Sequence, residues 1–218
     1  MSNQSINKIF LHWSGTPYGW QGRESNGSPA YHNLFDNLGI STLKIDYHVP
    51  LYGHTYRRNS NSVALSCACL GKGPDGEPEG FEGLYPPTKA QINSMCLEAA
   101  KIVVSLGWHV PDTWDNSVLE FKIMTHAEAG GLRDYPLTLV SQLEGDNDQQ
   151  AWDLKLPHSN YGISSWVGAP IRPKWPGGSV VRWDWSYLQE EDSRKPGIGG
   201  YMLRKKIFEY VIKLRKSK

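Results

Sequence analysis

The sequence KIFLHWS, residues 8–14, is a short apolar run that ends in polar residues. This pattern predicts a buried β-strand with His12 near its end. A second run, SVLEFKIMTH at residues 117–126, predicts another strand that ends at His126. Because functional sites are commonly assembled where strands open onto loops, the two histidines are the first candidates for a site.

Strands and helices alternate along much of the chain. The clearest helix begins at Thr88, which has capping-box spacing with Gln91, and ends at Gly107. A mixed central β-sheet flanked by helices, an α/β fold, is the most economical architecture for this order. The pattern also predicts a short helix over 31–39 with a glycine C-cap, two strands around a turn within 44–58, and a strand over 62–70.

The chain is predicted to form one domain over residues 1–218. Residues 131–178 contain turn signals without a long periodic run, which predicts an inserted loop region. Residues 201–218 predict an amphipathic helix with seven basic residues and one glutamate, a net charge of +6. This C-terminal helix either docks on the core with a solvated outer face or lies on an anionic envelope or membrane surface.

Composition narrows the class of protein. A formal net charge of +1 argues against a nucleic-acid-binding protein whose whole surface is basic. The three cysteines show no disulfide spacing, and the N-terminus MSNQSINKIFLHW has no signal-peptide pattern. No apolar stretch reaches the roughly eighteen residues of a transmembrane helix. We therefore expect a chain that is made in a cytoplasm, without a membrane span and without a nucleic-acid partner.

Two strand-end histidines and one aspartate would complete the protein ligands of a catalytic zinc site, which takes three side chains and keeps a fourth position for water. Two aspartates occur in similar contexts, Asp153 in AWDL and Asp184 in RWDW. Cys67 and Cys69 alternate on one predicted strand and form a weaker metal candidate, since buried cysteines are common.

Five stretches follow one another along the chain: IFLHWSGT, IDYHVPLYGHTYRR, NSNSVALSCACLG, PTKAQINSMCLEAAKIVVSLGW and IMTHAEAG. Their order and intervals resemble the type 2 N-acetylmuramoyl-L-alanine amidases, the zinc family that includes phage lysozyme-amidases and peptidoglycan recognition proteins. The resemblance covers about residues 8–130 and resumes near residue 177. It implies the fold of that family, a mixed sheet flanked by helices.

The resemblance also implies a zinc site. In the family, one histidine closes the first strand, and His12 matches it. A second histidine precedes a residue and then a glutamate, which His126 and Glu128 match in THAE. The implied cofactor is therefore Zn²⁺, with His12 and His126 as two of its ligands.

The third ligand in the family is an acidic residue or a cysteine with a cation two places before it. Asp184 has Arg182 at that place, whereas Asp153 has Ala151, which can stabilise no negative charge. The resemblance therefore favours Asp184 as the third ligand, with Asp153 as the alternative. The family's usual cation is lysine, and arginine keeps the charge but presents a wide planar group.

A catalytic tyrosine stands directly before a histidine in this family, and the pair Tyr47-His48 matches it. The implied mechanism is metal-assisted amide hydrolysis, in which zinc lowers the pKa of a bound water and polarises the scissile carbonyl. Tyr47 would stabilise the oxyanion by a hydrogen bond unless zinc lowers its pKa, and Arg182 would add positive charge.

The function implied is hydrolysis of the bond between N-acetylmuramic acid and L-alanine in peptidoglycan, by a phage or prophage endolysin that acts on the cell wall after release. Two alternatives remain: a cytoplasmic amidase acting on recycled muropeptides, and a peptidoglycan-binding module without catalysis. A lysozyme-type glycosidase would need a carboxylate pair, which no stretch of the sequence marks.

Overall fold

The computed structural model describes residues 5–51, 54, 59, 61–69, 85, 87–119, 122–125 and 198–217. Its strands are β1 (Lys8–Trp13), β2 (Asn33–Phe35), β3 (Ser41–Lys44), β4 (Ser62–Cys67) and β5 (Ile123–Thr125). Its helices are α1 (Lys89–Ser105), a 3-10 turn (Asn116–Val118) and α2 (Ile198–Lys216). The predicted insertion at 131–178 lies outside the described residues.

The five strands form one sheet in the order β3-β2-β4-β1-β5. β1 pairs in parallel with both β4 and β5, and β2 pairs in parallel with β4. Only β2 and β3 pair antiparallel, as a hairpin within the described part of the chain. The predicted mixed sheet with helices is therefore confirmed at this level of detail.

The alternation of side chains along β1 divides the sheet into two faces. Ile9 and Leu11 join the main hydrophobic cluster, to which both α1 and α2 contribute. Phe10 and His12 therefore point to the opposite face. The register carries this division across the sheet, because Leu11 pairs with Leu65 and His12 pairs with Ser66 on β4.

Helix α1 begins as predicted. The Thr88 side chain accepts a hydrogen bond from the Gln91 backbone, and the Gln91 side chain accepts one from the Thr88 backbone. The buried Gln91 amide also donates to the carbonyl oxygens of Phe35 and Ala68, at 3.1 and 2.8 Å. One side chain thus caps the helix and joins it to the ends of β2 and β4.

The C-terminal helix α2 docks on the core. Leu203, Ile207 and Val211 are fully buried against the main cluster. The Arg204 guanidinium is also buried and donates to Asn116 Oδ1 at 2.8 Å and to the Ile123 carbonyl oxygen at 3.1 Å. The core therefore covers the apolar face of α2. Binding to an anionic surface stays a prediction, and it would involve only the basic residues on the outer face of the helix. No helix among the described residues is both long and apolar enough to cross a membrane.

The predicted helix at 31–39 is wrong, because this stretch forms β2 followed by a turn. The Asp36 side chain accepts from the backbone N–H groups of Leu38 and Ile40, which fixes the turn. Gly39 does not cap a helix but has a φ of 76°, and a Cβ there would lie 2.7 Å from the Ala90 carbonyl oxygen. Only glycine fits this close approach between the turn and α1.

Three other predicted elements differ in the structure. Within 117–126 the chain makes a 3-10 turn before the three residues of β5, because Asp115 caps that turn at the Ser117 N–H. The first strand predicted within 44–58 is wrong: β3 ends at Lys44, and the chain then turns because Asp46 accepts hydrogen bonds from the backbone N–H groups of His48 and Val49. The strand predicted over 62–70 ends at Cys67. Most of the remainder of the 44–58 stretch beyond residue 51 lies outside the described residues.

Candidate functional site

The first predicted ligand, His12, lies in a cluster of rings on the sheet face opposite the helices. The His12 side chain is fully buried. Its ring centroid is 5.1 Å from that of Tyr31 and 5.5 Å from that of His54. The end of β1 thus presents His12 to a tyrosine and a second histidine.

A third histidine, His32, belongs to the same cluster, and its hydrogen bonds give it a structural role. Its Nδ1 accepts a hydrogen bond from the Ala64 backbone N–H at 3.0 Å, so the ring proton is on Nε2. Nε2 then donates to the Val49 carbonyl oxygen at 2.9 Å. With both nitrogens engaged, neutral His32 joins β2 to β4 and to the segment around Val49, and it offers no lone pair to a metal.

Burial controls the charge state of His32. It lowers the pKa of His32, and this effect outweighs the hydrogen bond to Val49 and the charge of Asp46, which both raise it. A protonated ring would present a second N–H to the Ala64 N–H, which has no acceptor to offer. The neutral form is therefore the one that the fold requires.

His54 lies between the other two histidines, with its ring centroid 6.3 Å from that of His32. Its Nε2 is 3.3 Å from Ser62 Oγ, and that hydroxyl donates its hydrogen to the Asn59 carbonyl oxygen at 2.7 Å. His54 Nε2 therefore donates to Ser62, which fixes the orientation of the ring beside His12.

Ser66 adds a polar group to the same face, because it pairs with His12 across β1 and β4. Its hydroxyl is fully buried and forms no hydrogen bond with any part of the chain that the structure describes. Buried hydroxyls normally have a partner, since leaving one unpaired costs about 1–3 kcal/mol. The cluster thus combines a buried histidine with a hydroxyl that requires a polar neighbour.

The predicted catalytic residue Tyr47 has its hydroxyl on the helix side of the sheet. It donates a hydrogen bond to Glu98 on α1, and its ring packs against the main cluster that contains Leu11 and Leu65. Burial, together with the bond to the Glu98 carboxylate, raises the pKa of Tyr47 well above its ordinary value. Tyr47 therefore keeps its proton, which it donates in the hydrogen bond to the ionised Glu98 carboxylate.

The charge of Glu98 is retained in this arrangement. Burial raises the pKa of Glu98, but the hydrogen bond from Tyr47 and the charges of Lys101 and Lys44 outweigh burial and leave that pKa below its ordinary value. The ammonium nitrogens of Lys101 and Lys44 lie 3.4 and 3.7 Å from the carboxylate. Tyr47 and Glu98 thus tie the segment that follows β3 to α1.

Sequence reasoning missed Tyr31, although a signal for it was present. Tyr31 stands directly before His32, so the chain contains two Tyr-His pairs, and the structure brings Tyr31 rather than Tyr47 against the His12 ring. Its position was obscured by the helix predicted over 31–39. The roles of His32 and His54 follow from contacts across the sheet, which no local sequence pattern predicts.

The other predicted site residues, His126, Glu128, Asp153, Arg182 and Asp184, lie outside the described residues. Thr125, the residue before His126, lies on β5 and pairs in parallel with Leu11, the residue before His12. No group of three or more His, Cys, Asp or Glu side chains that could hold a metal occurs among the residues that the structure describes.

The weaker candidates Cys67 and Cys69 are fully buried in the main cluster, on the face of the sheet that the helices cover. Burial raises the pKa of the Cys67 thiol well above its ordinary value. Since a metal binds the thiolate, this environment favours the structural interpretation of Cys67.

No protein-family model, curated protein or solved structure matches this chain. The relation to the zinc amidases therefore rests on the sequence resemblance.

The bonds of His32 predict how stability depends on pH. The pKa of His32 is lower in the folded than in the unfolded chain. Its contribution to the free energy of unfolding is therefore complete above the unfolded pKa of about 6.5 and is lost as the pH falls from there toward the folded pKa. His32→Gln should lower the free energy of unfolding by about 1–3 kcal/mol at pH 8. Urea unfolding at pH 8 and pH 5 should show a smaller difference between wild type and variant at pH 5.

The exposed His109 supplies the matched control. His109→Gln should follow the wild type within about 0.5 kcal/mol at both pH values. If the difference between wild type and His32→Gln were equal at pH 8 and pH 5, His32 would not be held neutral by the fold.

Proposed function

We propose that the chain is a zinc-dependent amidase that hydrolyses the bond between N-acetylmuramic acid and L-alanine in peptidoglycan. The observation that supports this most is the position of His12, which is buried at the end of β1 beside Tyr31 and beside the Ser66 hydroxyl, which bonds to no residue that the structure describes. The resemblance requires a ligand at this strand end, and the structure provides a polar cluster there.

The proposed ligands have the donor chemistry of a zinc site. β5 pairs with β1 as far as Thr125, which pairs with Leu11, and the proposal is that the next residue of each strand, His126 and His12, both contribute a ligand. Asp184 would complete a set of two imidazoles and one carboxylate, a donor set that zinc accepts. When bound, zinc would lower the pKa of a water and polarise the scissile carbonyl.

The tyrosine of this site is proposed to be Tyr31. The family's pattern requires a tyrosine directly before a histidine, and the pair Tyr31-His32 satisfies it as well as Tyr47-His48. Contact between the Tyr31 and His12 rings favours Tyr31, whereas the Tyr47 hydroxyl lies on the helix side of the sheet, where it donates to Glu98. The Tyr31 hydroxyl would donate to the developing oxyanion, and Arg182 would add positive charge.

The biological role that we propose for this activity is that of a phage or prophage endolysin, which acts on the cell wall of the host after its release. A cytoplasmic muropeptide amidase is the second candidate and would prefer small soluble fragments to intact sacculi. A binding module without catalysis is disfavoured, because His12, His126 and Asp184 are all present in the sequence.

The reaction is tested on purified sacculi with the zinc-loaded chain. We expect new N-terminal alanine groups without new reducing sugar ends, since the amide and not the glycosidic bond is cut. Zinc content and alanine release should both fall at least about a hundredfold in Asp184→Ala, because the metal loses a ligand. Reducing ends without free alanine would identify a glycosidase instead.

Asp153→Ala is the matched control for the third ligand, because it removes the aspartate of the other Trp-Asp pair. It should keep both zinc and activity. Loss of zinc in Asp153→Ala with retention in Asp184→Ala would reverse the assignment while leaving the reaction itself in place.

The two tyrosines are distinguished by removing each hydroxyl. Tyr31→Phe should lower kcat by about 10²-fold, the effect of deleting one donor to an oxyanion, and leave zinc content unchanged. Tyr47→Phe should keep kcat within about twofold and lower the free energy of unfolding, because it breaks the bond to Glu98. Steady-state kinetics on a soluble muropeptide and urea unfolding measure both, and a large loss of kcat in Tyr47→Phe alone would restore Tyr47 as the catalytic residue.

A further inference from the structure

A side chain of α2 completes the outer edge of β5. The Ile9 N–H of β1 donates to the Lys122 carbonyl at 2.7 Å, so the backbone groups of the next residue, Ile123, point away from β1. The Ile123 N–H donates to the Leu119 carbonyl at 2.7 Å, and the Ile123 carbonyl accepts from the Arg204 guanidinium at 3.1 Å. Both backbone groups of Ile123 therefore have partners, and Arg204 supplies one of them.

Arg204 reaches this edge from a fixed place. It lies on α2 directly after Leu203 and three residues before Ile207, and both of these residues are fully buried in the main cluster. Its Nε also donates to Asn116 Oδ1 at 2.8 Å. Because the guanidinium is planar, the bonds to Asn116 and Ile123 fix its orientation as well as its position. The guanidinium thus joins α2, the 3-10 turn and β5.

The charge of Arg204 is not what packing of α2 requires. The side chain is only 1% exposed, and a charge that leaves water is unfavourable unless hydrogen bonds compensate for it. Replacing a buried charged group by a well-packed apolar one is often neutral or stabilising. An apolar residue at this position would therefore serve the stability of α2, but it could not donate to the edge of β5.

The position of β5 matters because of the residue that follows it. Strand β5 has three residues and ends at Thr125, which pairs with Leu11 of β1. Each member of this pair precedes a histidine of the proposed zinc site, His126 and His12 respectively. Zinc binds imidazole nitrogens at about 2.0–2.1 Å, and a metal site tolerates displacements of only about 0.5 Å. A small shift of β5 against β1 would therefore disturb the site.

We propose that Arg204 is a positioning residue, which holds β5 against β1 through the Ile123 carbonyl and thereby positions His126 relative to His12. This inference rests on the proposed function, since it gives Arg204 a role toward the zinc site of that function. In this role Arg204 contacts neither the metal nor the substrate. It acts through the backbone of β5, so its replacement weakens zinc binding even where the chain stays stable.

The first test compares the zinc affinities of Arg204→Met and Leu203→Ala in the full chain. Methionine is long and apolar but has no donor, so Arg204→Met breaks the bond to Ile123. Leu203→Ala is the matched control, because it removes buried surface from the same turn of α2 without removing a hydrogen bond to β5. Competition with a chromophoric zinc chelator should show an affinity at least about tenfold lower in Arg204→Met, the smaller effect of losing a group that orients a metal ligand.

The control should separate zinc binding from stability. Urea unfolding of the metal-free chain should show that Leu203→Ala is less stable than wild type, because a cavity replaces a buried side chain. Its zinc affinity should nevertheless stay within about twofold of the wild-type value. An equal loss of zinc affinity in Leu203→Ala and Arg204→Met would overturn the inference, because the loss would then follow from weaker packing of α2. A zinc affinity of Arg204→Met equal to that of wild type would also overturn it.

Arg204→Lys is the second variant. It keeps the positive charge but not the planar group that bonds Asn116 and Ile123 together. Its zinc affinity should lie between those of wild type and Arg204→Met. If Arg204→Met does not fold, Arg204→Lys decides the question, and a wild-type zinc affinity in this variant would overturn the inference.

A measurement on the metal-free chain tests the position of β5 directly. Amide hydrogen exchange at Met124 and Thr125 should be faster in Arg204→Met than in wild type, whereas exchange at the β4 residues Leu65 and Ser66 should change less. The β4 amides serve as the internal control for global stability. Unchanged exchange at Met124 and Thr125 would overturn the inference.

The failure of this inference differs from the failure of the proposed function. A chain that binds zinc and releases alanine from sacculi, with the same zinc affinity in wild type and Arg204→Met, would keep the amidase assignment and lose the role of Arg204. A wild-type chain that binds no zinc would overturn the proposed function and, with it, the inference that rests on it.

Discussion

The parallel pairing of β1 with β4 and β5 is the constraint on which the rest of the structure depends. It buries β1 from both sides and assigns alternate side chains to opposite faces of the sheet. Ile9 and Leu11 consequently pack with the two helices, while His12 points into the polar cluster. A shift of one residue in this register would exchange these roles and place an imidazole in the helical core.

His32 stabilises the polar cluster because both of its ring nitrogens are hydrogen-bonded. The neutral His32 ring accepts from the Ala64 N–H and donates to the Val49 carbonyl, so it joins β2 to β4 and to the segment around Val49. Tyr47 and Glu98 fasten the same segment to α1 from the other face. His12 thus lies in surroundings that these bonds fix before any ligand arrives, and such fixed surroundings favour precise positioning of a metal or substrate.

The sequence was sufficient for features with a strong local signal. The capping box at Thr88 and the apolar face of α1 predicted that helix, and the run at 8–14 predicted β1 with His12 at its end. The stretch at 31–39 has the pattern of a helix but forms a strand, because three strand residues are too few to show alternation. Its glycine, Gly39, lies in a turn and does not end a helix. Tyr31, His32 and His54 could not be assigned, because their positions depend on the pairing of β2 with β4. The remaining predicted site residues, from His126 to Asp184, lie outside the described residues and stay predictions.

We propose that the end of β1 is a metal centre. Anomalous diffraction at the zinc edge from crystals of the zinc-loaded chain tests it most directly. The account predicts one zinc ion about 2.0–2.1 Å from a ring nitrogen of His12, on the sheet face opposite α1 and α2. A zinc ion bound elsewhere, or a His12 ring bonded only to protein groups in crystals grown with excess zinc, would contradict it.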